Sequence, residues 1–327
     1  MPLLRVRDLS VTSGSLTLVN GVNLEVNAGE RVGLIGESGS GKSLTALAIS
    51  GLLGEGLRAS GEVSLDGEDL VAATERRRCE VRGSRIAMVF QEPMSALNPT
   101  RRIGDQVGET LRIHQGLSRR SAEKAAVDLL RRVEFADPER YVRMYPHELS
   151  GGQRQRVMIA SAISCDPEVI LADEPTTALD VTVQRRVLDL LDRLVDESGC
   201  ALLLIAHDLA VVSEVCDRVV TMYGGRVVES GSVAQIIDDP HHPYTKALLA
   251  TSKALSVAET SLGTSLPSIP GTVPNAGQFP RGCPFRDRCD RRVEACVEVP
   301  PTLVRDTRTL ACWNPVVDDE PVLEEAP

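Results

Sequence analysis

The chain has 327 residues, with 36 Lys and Arg against 46 Asp and Glu, a net charge of -10. That balance is opposite to the basic footprint of a general nucleic-acid binder, so no nucleic-acid partner is expected. The length allows one large domain or two ordinary ones with a proper core, and folding needs no cysteine staples. MPLLRVRDLS lacks the charged head and apolar stretch of a signal peptide, and runs such as CALLLIA are far shorter than the roughly 20 residues of a membrane span, so a cytoplasmic protein is expected.

LLRVRDLSV and LVNGVNLEV alternate apolar and polar residues, which predicts strands of a small antiparallel sheet. ERVGLIGESGSGKSLTALAISGLL passes from a β-branched run through a Gly/Ser turn into a helical pattern. GEVSLDGEDL predicts a further strand pair, and RIAMVFQEP a buried strand ending at Pro93. From about 94 to 148 the chain is polar and helix-rich, after which strands and helices alternate: EVILADEP, VTVQRRVLDLLDRLVDESG, CALLLIAHD, then a helix and hairpin in LAVVSEVCDRVVTMYGGRVVESG. This rhythm predicts a mostly parallel sheet with helices on its faces and a helical insert. Beyond about 240, DDPHHPYT and LPSIPGTVPNAGQFPRG predict a linker and a loop-rich end module, closed by the acidic tail DDEPVLEEAP, expected to be disordered.

GESGSGKS, residues 36 to 43, fits the phosphate-binding loop pattern of glycine, four residues, then Gly-Lys-Ser. Gly36, Gly39 and Gly41 let successive N–H groups turn toward a phosphate, and the helix that follows presents its positive end there. Lys42 supplies charge for the β and γ phosphates, and Ser43 a hydroxyl for Mg2+. A plain strand-to-helix turn is the bland alternative, but the placement after an apolar strand is the context the motif requires. The other half of such a site is a carboxylate leaving a buried strand. VILADEP offers Asp173 to hold Mg2+ through water and Glu174 to orient or deprotonate an attacking water. In LSGGQRQRV, residues Ser150, Gly151 and Gly152 open a helix, as a second anion cradle or as a simple cap.

Taken in order, GESGSGKS, Gln91 in VFQEP, LSGGQ, VILADEP, TALD ending at Asp180 and His207 in LIAHD make the chain resemble the ATP-binding subunits of ABC transporters over nearly its whole length. The resemblance implies an α/β P-loop ABC ATPase fold with an antiparallel β subdomain and a helical insert, plus a small loop-rich C-terminal cysteine module. The ATP-binding domain would span 1–240, its helical subdomain about 94–155, and the extension 241–327. It implies ATP and Mg2+ as ligands of Gly36, Glu37, Ser38, Gly39, Ser40, Gly41, Lys42, Ser43, Leu44, Gln91 and Asp173. Gln91 would sense the γ phosphate and Mg2+, Glu174 would be the catalytic base, and His207 would contact the γ phosphate. Ser150, Gly151, Gly152, Gln153 and Asp180 would serve the nucleotide of a partner subunit. One departure concerns adenine: VTSGSLTLV has no aromatic residue to stack on the base, and Ser13 or a neighbour stands there.

FQEPMSALNPTRRIGDQV, MYPHELSGGQRQRVMIASAI, HPYTKALL, IPGTVPN and GCPFRDRC look like the dipeptide and oligopeptide importer ATPases, a family that includes nickel importers. This implies import energised at the cytoplasmic face of the cell membrane. The partners would be two permease subunits, a second homologous ATPase in a heterodimer and an extracytoplasmic substrate-binding protein. Nickel or another small solute is the alternative cargo, and a soluble ABC ATPase outside transport the alternative class. His241 and His242 in DDPHHPYT read as a polar turn, with metal ligation as the competing reading.

Four of the eight cysteines, Cys283, Cys289, Cys296 and Cys312, fall in the last 45 residues. Their spacings of six, seven and sixteen lack the close pairs of structural zinc sites. Four thiolates in a loop-rich module suit an iron-sulfur cluster, and the resemblance implies a 4Fe-4S cluster here; unligated buried thiols remain the alternative. Cys79, Cys165, Cys200 and Cys216 are scattered in core-like stretches and read as inert.

Overall fold

A computed structural model describes residues 1–177, 179–207, 209–258, 268–305, 307–316 and 324–325, with backbone alone for 253–258 and 324–325. Of the motifs above, Ala178 of TALD lies outside the described residues, as does Asp208 of LIAHD and most of the acidic tail. The chain divides into two units, one of Met1–Leu4, Val26–Arg31 and Leu65–Ile205, the other of Arg5–Glu25, Val32–Ser64 and Ala206–Pro327.

The first unit is built on three parallel strands, Ile86–Val89, Val169–Asp173 and Ala201–Ile205, with the middle one paired in register to both neighbours. Val169 to Ala172 and Ala201 to Ile205 are solvent-free, as expected of parallel strands covered on both faces. Each such Val, Ile or Leu contributes roughly 1.5–3 kcal/mol through burial. The helix Val181–Ser198 buries Val187, Leu188, Leu190, Leu191, Leu194 and Val195, a stripe at helical spacing. Asp180 caps its start and Gly199, at φ 64°, ends it. The predicted helix-rich stretch contains Arg119–Arg132 and the signature helix Gly151–Ala162. The strand predicted to run to Pro93 stops at Val89, because Pro93 opens the short helix Pro93–Ala96 instead.

In the second unit Leu16–Val26, Leu4–Ser13 and Leu57–Leu65 lie side by side in that order, the small sheet expected from the alternating N-terminal pattern. A second sheet runs Thr302–Arg305, Arg308–Ala311, Arg226–Ser232, Arg218–Tyr223 and Arg31–Ile35. Its first three pairings are antiparallel and its last is parallel. The region beyond 240 is more regular than its proline content predicts. Pro243 sits at the start of a helix, Pro243–Ala258, where a missing N–H costs nothing. The hairpin of Thr302–Arg305 and Arg308–Ala311 adds to the sheet through Glu229↔Leu310 and Ser230↔Thr309.

Candidate nucleotide site

The strand Arg31–Ile35 delivers the chain to Gly36 in parallel register with Arg218–Tyr223, from Val32↔Arg218 to Ile35↔Thr221. Gly36 has φ 149°, and a Cβ there would lie 2.2 Å from the Met222 carbonyl oxygen, so no side chain fits. Gly41, at φ 98°, precedes the helix Lys42–Ser50, whose start no side chain caps. The Ser40 hydroxyl is buried and has no hydrogen-bond partner among the described residues, an unsatisfied group of the kind an anionic ligand would complete. Lys42 is buried and its Nζ donates to the carbonyls of Gly36 (2.8 Å) and Glu37 (3.1 Å). Ser38 and Gly39 stand exposed at the tip, Ser43 and Leu44 half-buried on the first helical turn. His207 is exposed and follows Ala206, whose N–H donates to the Leu34 carbonyl at 3.4 Å, two residues before Gly36. The hairpin tip at Ser13 is exposed, and Leu18 and Val19 of its second strand run against Gly41.

Within the other unit, strand register assembles a second group. Val89 pairs with Ala172, so Gln91 and Glu174 each stand two residues past the same rung. Gln91 Nε2 donates to Glu174 Oε2 at 2.8 Å, and Thr177 Oγ1 donates to the same oxygen at 3.0 Å. Asp173 is buried as the last residue of its strand. Glu174 has φ 43°, a left-handed backbone unusual for a residue followed by proline, and its N–H donates to the Ile205 carbonyl at 3.0 Å. Such strain costs about 1–3 kcal/mol and collects at functional positions.

The signature residues form a capping box: Gln153 N–H donates to Ser150 Oγ (3.3 Å) and Ser150 N–H to Gln153 Oε1 (2.9 Å). A Cβ on Gly152 would meet Val183 Cγ1 at 2.5 Å, which brings the signature helix against the helix capped by Asp180. The loop of Gly36–Ser43 is thus one assembly, Gln91 with Glu174 a second, and Ser150–Gln153 with Asp180 a third. Sequence patterning alone does not find Thr177, nor the residues that hold Glu37. The Glu37 N–H donates to Tyr244 Oη at 2.7 Å, and its carboxylate receives Arg288 Nη1 and Nη2 at 2.7 and 3.1 Å. The one available signal was a carboxylate placed inside an anion-binding turn.

None of the eight cysteines forms a disulfide. Cys283, Cys296 and Cys312 are buried and Cys289 half-buried, with the Cys283 N–H donating to the Cys296 carbonyl at 3.1 Å. Burial pushes the Cys283 thiol up to about 11 and that of Cys312 to about 12, and the charge of the neighbouring thiolates adds to both. Backbone N–H groups of Phe285, Arg291 and Asn314 oppose this at Cys283, Cys289 and Cys312 respectively, each from two residues further on. Among the described residues no group of three or more His, Cys, Asp or Glu side chains is placed to hold a single metal ion.

His241 and His242 do not form the solvated turn expected of them. Both are buried, and their N–H groups donate to the carboxylate of Glu229 at 2.8 and 3.0 Å. Burial pushes His242 down to about 3, so it stays neutral, and its Nδ1 accepts the Tyr244 N–H at 3.1 Å. Burial raises the Glu229 carboxyl above the ordinary carboxylate range, against the two N–H donors.

The cradle, the strand-end carboxylates and the capped signature helix define a P-loop ATP-binding cassette. The ABC transporter family model matches residues 19–177, and the model of the oligopeptide/dipeptide transporter C-terminal region matches 228–296. The chain is 49% identical over 322 residues to the probable D,D-dipeptide transport ATP-binding protein DdpD of Escherichia coli, covering 96% of this chain and 97% of that one. It is 43% identical over 319 residues to the oligopeptide transport ATP-binding protein OppD of Salmonella typhimurium, covering 96% and 94%. A solved structure of the ATP-binding cassette MJ0796, a dimer bound to ADP and Pi, superimposes with a TM-score of 0.63 at 30% identity, covering 70% of this chain and 98% of that one. The chain belongs to the dipeptide and oligopeptide importer family of ABC transporter ATP-binding subunits, and it is an ATPase. No helix among the described residues is long and apolar enough to cross a membrane.

Proposed function

We propose that this subunit hydrolyses ATP to energise the import of dipeptides or oligopeptides. The observation that carries the chemistry is the hydrogen bond from Gln91 to Glu174, which ties the γ-phosphate sensor to the base at the ends of two in-register strands. Lys42, Ser40 and the Gly36–Gly41 backbone would hold the phosphates; Ser43 and Gln91 would serve as Mg2+ ligands, with Asp173 acting through water. When bound, Mg2+ would supply neutralisation of the charge that develops on the phosphate oxygens. Glu174 takes the proton of the water that attacks the γ phosphorus, while the bond to the bridging oxygen breaks and ADP leaves. His207 positions the transferred group. Positioning and charge neutralisation carry most of the rate in such a transfer.

Ser150, Gly151, Gly152 and Gln153, with Asp180, act on the ATP of a second homologous subunit in a head-to-tail heterodimer. The ATP-binding domain spans 1–240 and the extension 241–327. A groove of about 790 Å3 in the helical region, lined by Pro99, Arg140, Arg143, Tyr145 and His147 among others, receives a permease helix. Phe90 and Met94, exposed in the segment around Gln91, offer apolar surface for the same docking. The subunit is then peripheral on the cytoplasmic face, working with two permeases and an extracytoplasmic binding protein. Peptide as cargo is supported by the near full-length likeness to DdpD and OppD. Nickel draws no support from His241 and His242, which are buried against Glu229.

Cys283, Cys289, Cys296 and Cys312 hold a 4Fe-4S cluster whose role is structural, tying down the end of the chain. In support, Cys283, Cys296 and Cys289 pack into one cluster and all four thiols lie within electrostatic reach of one another. A cluster takes one thiolate per iron, so it does not require three side chains to converge on one ion. The test of the transport reading is uptake of labelled dipeptides in a deletion strain, restored by the parent gene and not by Lys42→Ala. Undiminished uptake after deletion would overturn it.

A further inference from the structure

Glu37 places a carboxylate inside a loop whose task is to bind a polyanion. Left bare, that charge would oppose the ligand. Glu37 is instead held at three points: its N–H donates to Tyr244 Oη, its carbonyl accepts Lys42 Nζ, and its carboxylate takes both terminal nitrogens of Arg288. The side chains are 7% exposed for Arg288 and 23% for Glu37, so water screens this pair poorly. Arg288 also donates to Tyr223 Oη at 3.2 Å and, through Nε, to the Pro270 carbonyl at 2.7 Å. Its guanidinium lies 5.8 and 5.9 Å from the ring centres of Tyr223 and Phe285. Tyr244 and Arg288 both come from beyond residue 240, and Arg288 directly precedes Cys289.

We propose that Arg288 is a positioning residue of the nucleotide loop. By pairing with Glu37 it masks the loop's own negative charge, so the cysteine-bearing segment sets the affinity of the loop for MgATP. This rests on the ATP-binding reading of Gly36–Ser43. A fixed turn alone would need only the Tyr244 hydroxyl; the bidentate pair adds charge compensation, the stronger form of Arg recognition.

The test is equilibrium binding of MgATP to the full chain as parent, Arg288→Gln, Glu37→Gln and the double variant, with Lys42→Ala as the control that loses binding. At low salt Arg288→Gln is expected to bind roughly ten-fold more weakly, the scale of one unmasked charge near the phosphates. In high salt the gap should shrink to about three-fold or less. The double variant, with no carboxylate left to mask, should return to within about three-fold of the parent. Equal weakness of the single and double variants at every salt concentration would reduce Arg288 to packing and overturn the proposal, as would parent-like binding by Arg288→Gln. Should Arg288→Gln not fold, Glu37→Gln decides: release of a buried cation beside the loop predicts tighter binding, and weaker binding overturns the idea. A parent that binds no MgATP would sink the underlying reading too, whereas a binding parent insensitive to Arg288 sinks the masking alone.

Discussion

Glu174→Gln isolates the proton-transfer step, because the geometry around this residue tolerates the change. Glu174 Oε2 accepts from Gln91 Nε2 and Thr177 Oγ1. A glutamine amide oxygen in the same place accepts both, and the left-handed backbone with its bond to Ile205 is untouched. Exchanging a charged acceptor for a neutral one in two hydrogen bonds costs about 1–2 kcal/mol of stability. The carboxylate's ability to take a proton is lost outright. General-base removal slows turnover by about 10^2–10^4-fold, roughly 3–5 kcal/mol on the barrier. Phosphate release at saturating MgATP should show that drop, while equilibrium binding of MgATP stays within a few-fold of the parent. Turnover within about ten-fold of the parent, in folded protein, would refute Glu174 as the base, and the Gln91 bond would then be purely structural.

At Gly36, alanine would drive a Cβ to 2.2 Å from the Met222 carbonyl and 2.8 Å from Ser40 Oγ at φ 149°. Strain and overlap together are worth about 2–6 kcal/mol, so calorimetry should show a lower Tm and binding assays little MgATP affinity; a parent-like variant would mean the loop relaxes freely. His242, held near 3 in the folded chain against an ordinary 6.5, contributes stability above about pH 6.5 that is lost as pH falls toward 3. Glu229 acts in the opposite sense, since a raised carboxyl favours the folded state at low pH and loses that contribution as pH rises through its folded value. Denaturant unfolding of parent and His242→Gln should therefore differ most near neutrality and converge by about pH 5, and a constant gap would refute the burial argument. Anaerobic purification followed by iron and sulfide analysis should find both in the parent and less iron in Cys312→Ser, with Cys79→Ser unchanged; absence of iron and sulfide from the parent would sink the cluster.

The loop of Gly36–Ser43 is legible in sequence because its chemistry is local: backbone N–H groups, a lysine and a hydroxyl need only fixed spacing and a strand before them. Gln91 and Glu174 are legible one at a time, but their hydrogen bond is not, since 83 residues separate them and only the Val89↔Ala172 register makes them neighbours. The same limit hides Arg288, 251 positions from Glu37. The proline-rich end misleads for a different reason. Pro243 breaks nothing at a helix start, and the two histidines before it look polar until Glu229 is placed beneath them. At each of these points the structure shows a local conflict: an acid inside an anion loop, a buried histidine pair, a glutamate held at φ 43° before Pro175. In two of the three the structure supplies the compensating group, Arg288 for Glu37 and the Glu229 carboxylate for the histidine N–H groups. At Glu174 the conflict stays in the backbone, with the carboxylate aimed at Gln91 and Thr177. A strained residue held by functional groups is where selection has favoured chemistry over local stability. That asymmetry ranks Glu174 above Glu37 as the carboxylate that acts in the reaction.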